Sequence, residues 1–142
     1  MRIVNIKKAA RSLPLPLPFF LASVPAGFPS PADDYLDKTL DLNELVVAHP
    51  AATFFVRVEG DSMQGASISS GDVLVVDRSL EAADGKIILA VLNGEFTVKR
   101  IQMRSERIFL AAENPHYPAI EITEGSDFQV WGAVTYIIHQ AI

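Results

Sequence analysis

Two side chains in this sequence have the types and settings for nucleophilic chemistry. Ser62 lies in "VEGDSMQGASISSGD", in a Gly60-Asp61-Ser62-Met63 turn that follows an aromatic and β-branched run. A serine on a tight turn at a strand end can present its hydroxyl outward, with nearby backbone N–H groups free to hold an oxyanion. Serines also occupy turns for conformational reasons alone, because the hydroxyl bonds the local backbone. Lys99 lies in "EFTVKR". A lysine works as a base near neutral pH only where burial disfavours the ammonium and lowers its pKa. The alternative is a four-carbon stem lying over apolar surface with its ammonium in water.

Other chemistries have weaker footing. The chain has no cysteine, which removes a thiol nucleophile, a disulfide framework and cysteine-ligated zinc, and fits a reducing compartment. Its three histidines are His49 before a proline, His116 in a proline turn and His139 near the C-terminus, and none has the setting of a triad member. Neither a His-x-x-x-His pair nor a clustered carboxylate set suggests a metal, and Asp33-Asp34 reads as a solvated charge pair. There is no glycine-rich phosphate loop, and nothing calls for a cofactor. A hydrolase built on this chain therefore needs lysine as its base, and a Ser–Lys dyad is an attested form of that logic.

The elements that must position these groups are mostly β. "KIILAVLNGEFTVKRI" predicts two strands joined by Asn93-Gly94, the preferred pair for a type I′ hairpin. A two-residue loop there pairs Leu92 with Glu95 and Ile88 with Lys99. Lys99 then shares a face with Thr97 and Ile101, opposite Ile88 and Ala90. "TFFVRVEG", "SISSGDVLVVDR", "RIFLAAEN" and "DFQVWGAVTYIIHQ" supply further strands, with the turn formers of "NPHYP" among them. Ahead of them, "DLNELVVAHP" at 41–50 predicts a short helix, with Asp41 as cap, Glu44 placed to reach back and Pro50 as stop.

Residues 1–31 hold six of the nine prolines and should be extended and poorly folded by themselves. The basic start and "LPLPLPFFLASVPA" imitate a secretory leader, but prolines break its apolar stretch and one sits in the cleavage tripeptide. No apolar run reaches membrane-spanning length. The expected location is cytoplasmic. Arg2, Lys7, Lys8 and Arg11 give residues 1–26 a charge of +4, so the net −5 leaves −9 on the remainder. An acidic body is a poor stand-alone binder of phosphate backbones, so direct sequence-specific DNA binding is not expected.

Taken together, "AGFPSPADDYLD", "DLNELVVAHPAATFFVRVEGDSM", "ISSGDVLVVDRSLEAADGKIILAVLNGEFTVKRI" and "AENPHYPAIEI" resemble the LexA/UmuD-type self-cleaving serine peptidases, in the branch that serves an error-prone DNA polymerase. The resemblance spans about residues 26–140. It implies a mostly β peptidase domain of short antiparallel strands with a short helix, preceded by an extended N-terminal arm. The expected division is 1–26 as the arm removed on self-cleavage, 27–50 as an extended segment and short helix, and 51–142 as the β-rich peptidase domain.

By the same resemblance, Ser62 is the nucleophile, Lys99 the general base, and Ala26–Gly27 the scissile bond, with the backbone amides of Asp61 and Ser62 as the oxyanion hole. Small residues at the bond allow close approach of an extended backbone. The 35 residues from Gly27 to Ser62 reach up to roughly 115 Å when extended, so cutting within one chain or between partners is open. The implied partners are a second copy in a homodimer, a RecA filament on single-stranded DNA that stimulates the cut, and the catalytic subunit of an error-prone polymerase. The polymerase-accessory branch usually has cysteine where this chain has Ala26. Repressors of the family carry a winged-helix domain ahead of the bond, whereas about 26 residues precede it here. A non-cleaving β-rich dimeric adaptor of a polymerase is the alternative. A type I signal peptidase shares the residue pair but needs a membrane anchor. A secreted protein with a cleaved leader would be cut by another protease.

Overall fold

Asn93 and Gly94 take φ values of 50° and 83°, the left-handed pair that a type I′ turn requires. The hairpin they close joins β6 (Ile87–Leu92) to β7 (Glu95–Arg104), pairing Leu92 with Glu95 and Ile88 with Lys99 as predicted. A second tight turn leads to β8 (Arg107–Ala111), and β9 (Ile120–Ile122) pairs with β8. On the other side β6 pairs with β10 (Phe128–Ile138), β10 with β5 (Val73–Asp77), and β5 with β4 (Thr53–Glu59). The edge of β4 is taken by β1 (Arg2–Lys8). The result is an eight-stranded antiparallel sheet in the order β1-β4-β5-β10-β6-β7-β8-β9, curled enough that β1 comes against β7.

The computed structural model describes residues 1–9, 16–20 and 36–142, with only the backbone of 16–20 and 36–40. Those last two stretches belong to a separate two-stranded ribbon of β2 (Pro16–Phe20) and β3 (Leu36–Asp41). Prolines are tolerated in such a ribbon because each strand has an edge that needs no ladder donors.

Alternation along the strands divides the interior. Val56, Val58, Met63, Ile68, Leu74, Val76, Leu89 and Val98 form one buried cluster, on which Ile3 and Ile6 of β1 also pack. Ile88, Ala90, Ile101 and Leu110 form a second. Ile88 and Leu89 are adjacent in sequence yet belong to different clusters, as a period of two demands. Full burial of such side chains stabilises by about 1.5–3 kcal/mol each, so the two clusters hold the hairpin that carries Lys99 from both faces.

The mostly β class and the five predicted strand regions match the structure. The early strands β1 to β3 and the short β9 go beyond the sequence reading. Ile3, Val4 and Ile6 give β1 a β-forming texture, but its partner β4 lies some fifty residues away and no local signal announces the pairing. The helix is shorter than predicted: α1 covers Leu42–Val46, and Pro50 opens a 3-10 turn (Pro50–Ala52) instead of ending the α-helix. Asp41 does cap it, accepting from the Asn43 N–H at 3.0 Å. β-Branched Val46 and Val47 disfavour continuation. Among the described residues no helix is long and apolar enough to cross a membrane.

Candidate active site

The nucleophile turn begins where β4 ends. Gly60 takes φ 109° and swings the chain out of the sheet, after which residues 61–63 lead into a 3-10 turn, Gln64–Ala66. Ser62 is 1% exposed and Lys99 7% exposed. The β7 register aims Lys99 at this turn, and its Nζ stands 3.5 Å from Ser62 Oγ and 3.3 Å from the Val98 carbonyl oxygen. The 3.5 Å approach is long for a formed hydrogen bond, yet within the looseness usual for a nucleophile and base before substrate arrives.

Burial pushes the Lys99 pKa below its ordinary 10.5, opposed in part by a hydrogen bond to the Met1 amino group. No carboxylate among the described residues pairs with it. Burial makes the ammonium costlier than in water and brings the neutral amine within easier reach, and a neutral amine beside a serine hydroxyl is a proton acceptor. Met1 and Arg2 line the pocket at Ser62 together with Glu59, Asp61 and Tyr117. The Met1 amino group is itself lowered to about 6, by burial first and the Lys99 charge second.

The turn is braced from a distance. Asn114 Nδ2 donates to the Asp61 carbonyl at 2.9 Å, and the Tyr117 hydroxyl donates to Asp61 Oδ1 at 2.6 Å. The Gly65 N–H donates to the Glu113 carbonyl at 2.7 Å. A Cβ on Gly65 would stand 2.7 Å from that same oxygen, so the approach requires glycine. Glu113 is paired in turn with Arg100, the neighbour of Lys99 on β7. Residues 113–117 thus tie the serine turn to the lysine strand. Their sequence, read only for its turn formers, carried one usable signal: an asparagine and a tyrosine with polar groups to satisfy, set between apolar strands.

The predicted residues divide clearly. Ser62 and Lys99 are brought together, and the Asp61 and Ser62 amides lie in the same turn. Ala26 and Gly27 fall outside the described residues. The histidines lie elsewhere: His49 Nδ1 is 2.5 Å from Asp77 Oδ2, His139 Nδ1 is 2.6 Å from Asp72 Oδ1, and the His116 N–H donates to Asn114 Oδ1. Among the described residues no three histidines or carboxylates group as metal ligands would. The arrangement can therefore do one kind of chemistry well, proton transfer from a serine to a desolvated amine.

Comparison with known proteins finds a peptidase family model and several relatives. The Peptidase S24-like family model matches residues 18–135. The chain is 48% identical over 123 residues to Protein SamA of Salmonella typhimurium, covering 87% of this chain and 85% of that protein. It is 46% identical over 121 residues to Protein MucA of Escherichia coli, covering 84% and 82%. To the LexA repressor of an Acidovorax species it is 34% identical over 149 residues, covering all of this chain and 66% of the repressor.

Proposed function

This chain belongs to the Peptidase S24-like family and is UmuD-like, and on that premise we propose that it is a self-cleaving Ser–Lys peptidase whose processed form is the accessory subunit of an error-prone translesion polymerase in SOS mutagenesis. The observation that carries the reading is the 3.5 Å approach of a buried, carboxylate-free Lys99 to Ser62.

The reaction follows from that pair. Neutral Lys99 takes the Ser62 proton as Oγ attacks the Ala26 carbonyl carbon. The resulting oxyanion lies against the Ser62 N–H, with the Asp61 N–H beside it. Collapse breaks the bond to Gly27, whose nitrogen receives the proton from Lys99 and leaves as a new amino terminus. Residues 1–26 remain esterified to Ser62 until a water, deprotonated by Lys99, attacks the ester and frees them. Met1 and Arg2 line the pockets beside Ser62 and Lys99, and entry of the segment bearing the scissile bond displaces them. That displacement is the brake, and a RecA filament on single-stranded DNA releases it. The processed chain, residues 27–142, works as a homodimer on the polymerase catalytic subunit.

Intact-mass measurement tests the reading, on full-length chain incubated at neutral and alkaline pH with and without RecA on single-stranded DNA. Loss of residues 1–26, absent in Ser62→Ala and Lys99→Ala, is the expected result. Cutting that persists in Ser62→Ala would assign the work to another protease. A wild type that stays whole in every condition would leave a non-cleaving adaptor.

A further inference from the structure

Asn114 makes two bonds of different meaning. Its Oδ1 accepts the His116 N–H at 2.9 Å, which closes its own turn, and its Nδ2 donates to the Asp61 carbonyl at 2.9 Å, fifty-three residues away. The partners fix the orientation of the amide, since only the nitrogen can donate to a carbonyl. The side chain is nearly buried, at 9% exposed. Among the described residues, the one other N–H on the Asp61 carbonyl is that of Gln64, at a longer 3.3 Å.

The geometry of the peptide group gives this bond its consequence. A trans peptide is planar, with C=O and N–H pointing in opposite directions. Anchoring the Asp61 oxygen therefore sets the direction of the Ser62 N–H, which has no partner among the described residues. If the Asp61–Ser62 peptide turned over, that N–H would leave and a carbonyl oxygen would face the developing oxyanion. A donor would become a repulsive dipole.

We propose that Asn114 is a positioning residue for the oxyanion hole: through Nδ2 it locks the Asp61–Ser62 peptide so that the Ser62 N–H faces the reacting carbonyl. The proposal rests on the Ser–Lys reading above. Tyr117, which holds the Asp61 side chain, steadies the same residue but does not set its peptide plane.

The deciding variant is Asn114→Asp in the full-length chain. It keeps an acceptor for the His116 N–H and the size of the side chain, and replaces the donor to Asp61 with a carboxylate, so the uncharged Asn114→Ala runs beside it. Self-cleavage is followed by intact mass across a pH series, with wild type and Ser62→Ala alongside and folding checked by circular dichroism. The plateau rate falls by about 10²-fold, the scale of losing one oxyanion-hole donor. Asn114→Ala, which adds no charge, falls as far, and the midpoint of its pH profile stays at the wild-type value because Lys99 is untouched. If Asn114 only shapes its own turn, Asn114→Asp cuts at the wild-type rate and only Asn114→Ala is slow, which overturns the proposal. A moved midpoint in Asn114→Ala also overturns it, by placing the effect on the base. Should Asn114→Asp not fold, Asn114→Ser replaces it, with a hydroxyl that serves the local turn but falls short of Asp61. Cutting in Ser62→Ala, or none in wild type, would refute the Ser–Lys reading itself. Normal cutting in wild type and Asn114→Asp, with none in Ser62→Ala, refutes the positioning role alone.

Discussion

Lys99 and Ser62 stand 3.5 Å apart but are held by different kinds of structure. Lys99 is in the body of β7, with β6 laddered on one side and β8 on the other. The Asn93-Gly94 turn decides which way it points, and two buried clusters hold its strand in place. Ser62 has left the sheet. Its turn depends on Glu113, Asn114 and Tyr117, which reach it from a loop beyond β8. The base is thus fixed by local pairing and the nucleophile by distant braces, so damage to the two supports should look different: a broken brace slows cleavage, whereas a strained hairpin turn costs stability and leaves the rate.

Lys99→Arg gives the largest effect. Arginine keeps the positive charge and much of the length but does not deprotonate in proteins. It leaves no base for Ser62, and self-cleavage falls by about 10³-fold or more, read by intact mass, while the sheet still forms.

Gly65→Ala tests the braced side. The new Cβ meets the Glu113 carbonyl at 2.7 Å, so turn and loop must part. Cleavage is expected to slow by about 10-fold or more, at a stability cost of about 1–3 kcal/mol for the forced contact. Rates and thermal melts on the same preparation check it.

Gly94→Ala tests the hairpin side. Nothing lies within 4 Å of the added Cβ, but φ is 83°. The cost is conformational, about 1–2 kcal/mol, seen as a melting shift of several degrees. Cleavage at a temperature where the fold persists stays near wild type, because the β6–β7 register survives. Equal losses of rate in Gly65→Ala and Gly94→Ala would erase the distinction between the two regions.

The smallest effect is on stability against pH. The folded-state pKa of Lys99 lies below its unfolded value of 10.5, so the folded chain binds fewer protons than the unfolded one between the two values. Stability therefore gains from Lys99 as pH rises through that window. Denaturant titrations at several alkaline pH values measure the slope, and Lys99→Met removes this contribution.

The same difference explains what could be read from the sequence. The Lys99 register was legible because an Asn-Gly turn and alternation settle it within a few residues. Ser62 was legible as a turn serine, but its burial was not, since that comes from Met63 and Ile68 joining the core and from residues 113–117 closing over the turn. β1 was missed because its Ile3 and Ile6 have no meaning without the distant edge of β4. The role of Asn114 was hidden for the same reason: a turn asparagine looks alike whether or not its amide reaches Asp61. The Ala26–Gly27 bond was read from family resemblance, with small residues as its only local support.

The most direct test of the Ser62–Lys99 pairing is the pH–rate profile of self-cleavage in the full-length chain, followed by intact mass. A buried lysine base predicts a rate that rises with pH and levels off with a midpoint below 10.5, and no cutting in Ser62→Ala. A rate still climbing past that value, as direct hydroxide attack would give, or a profile unchanged in Lys99→Arg, would contradict it.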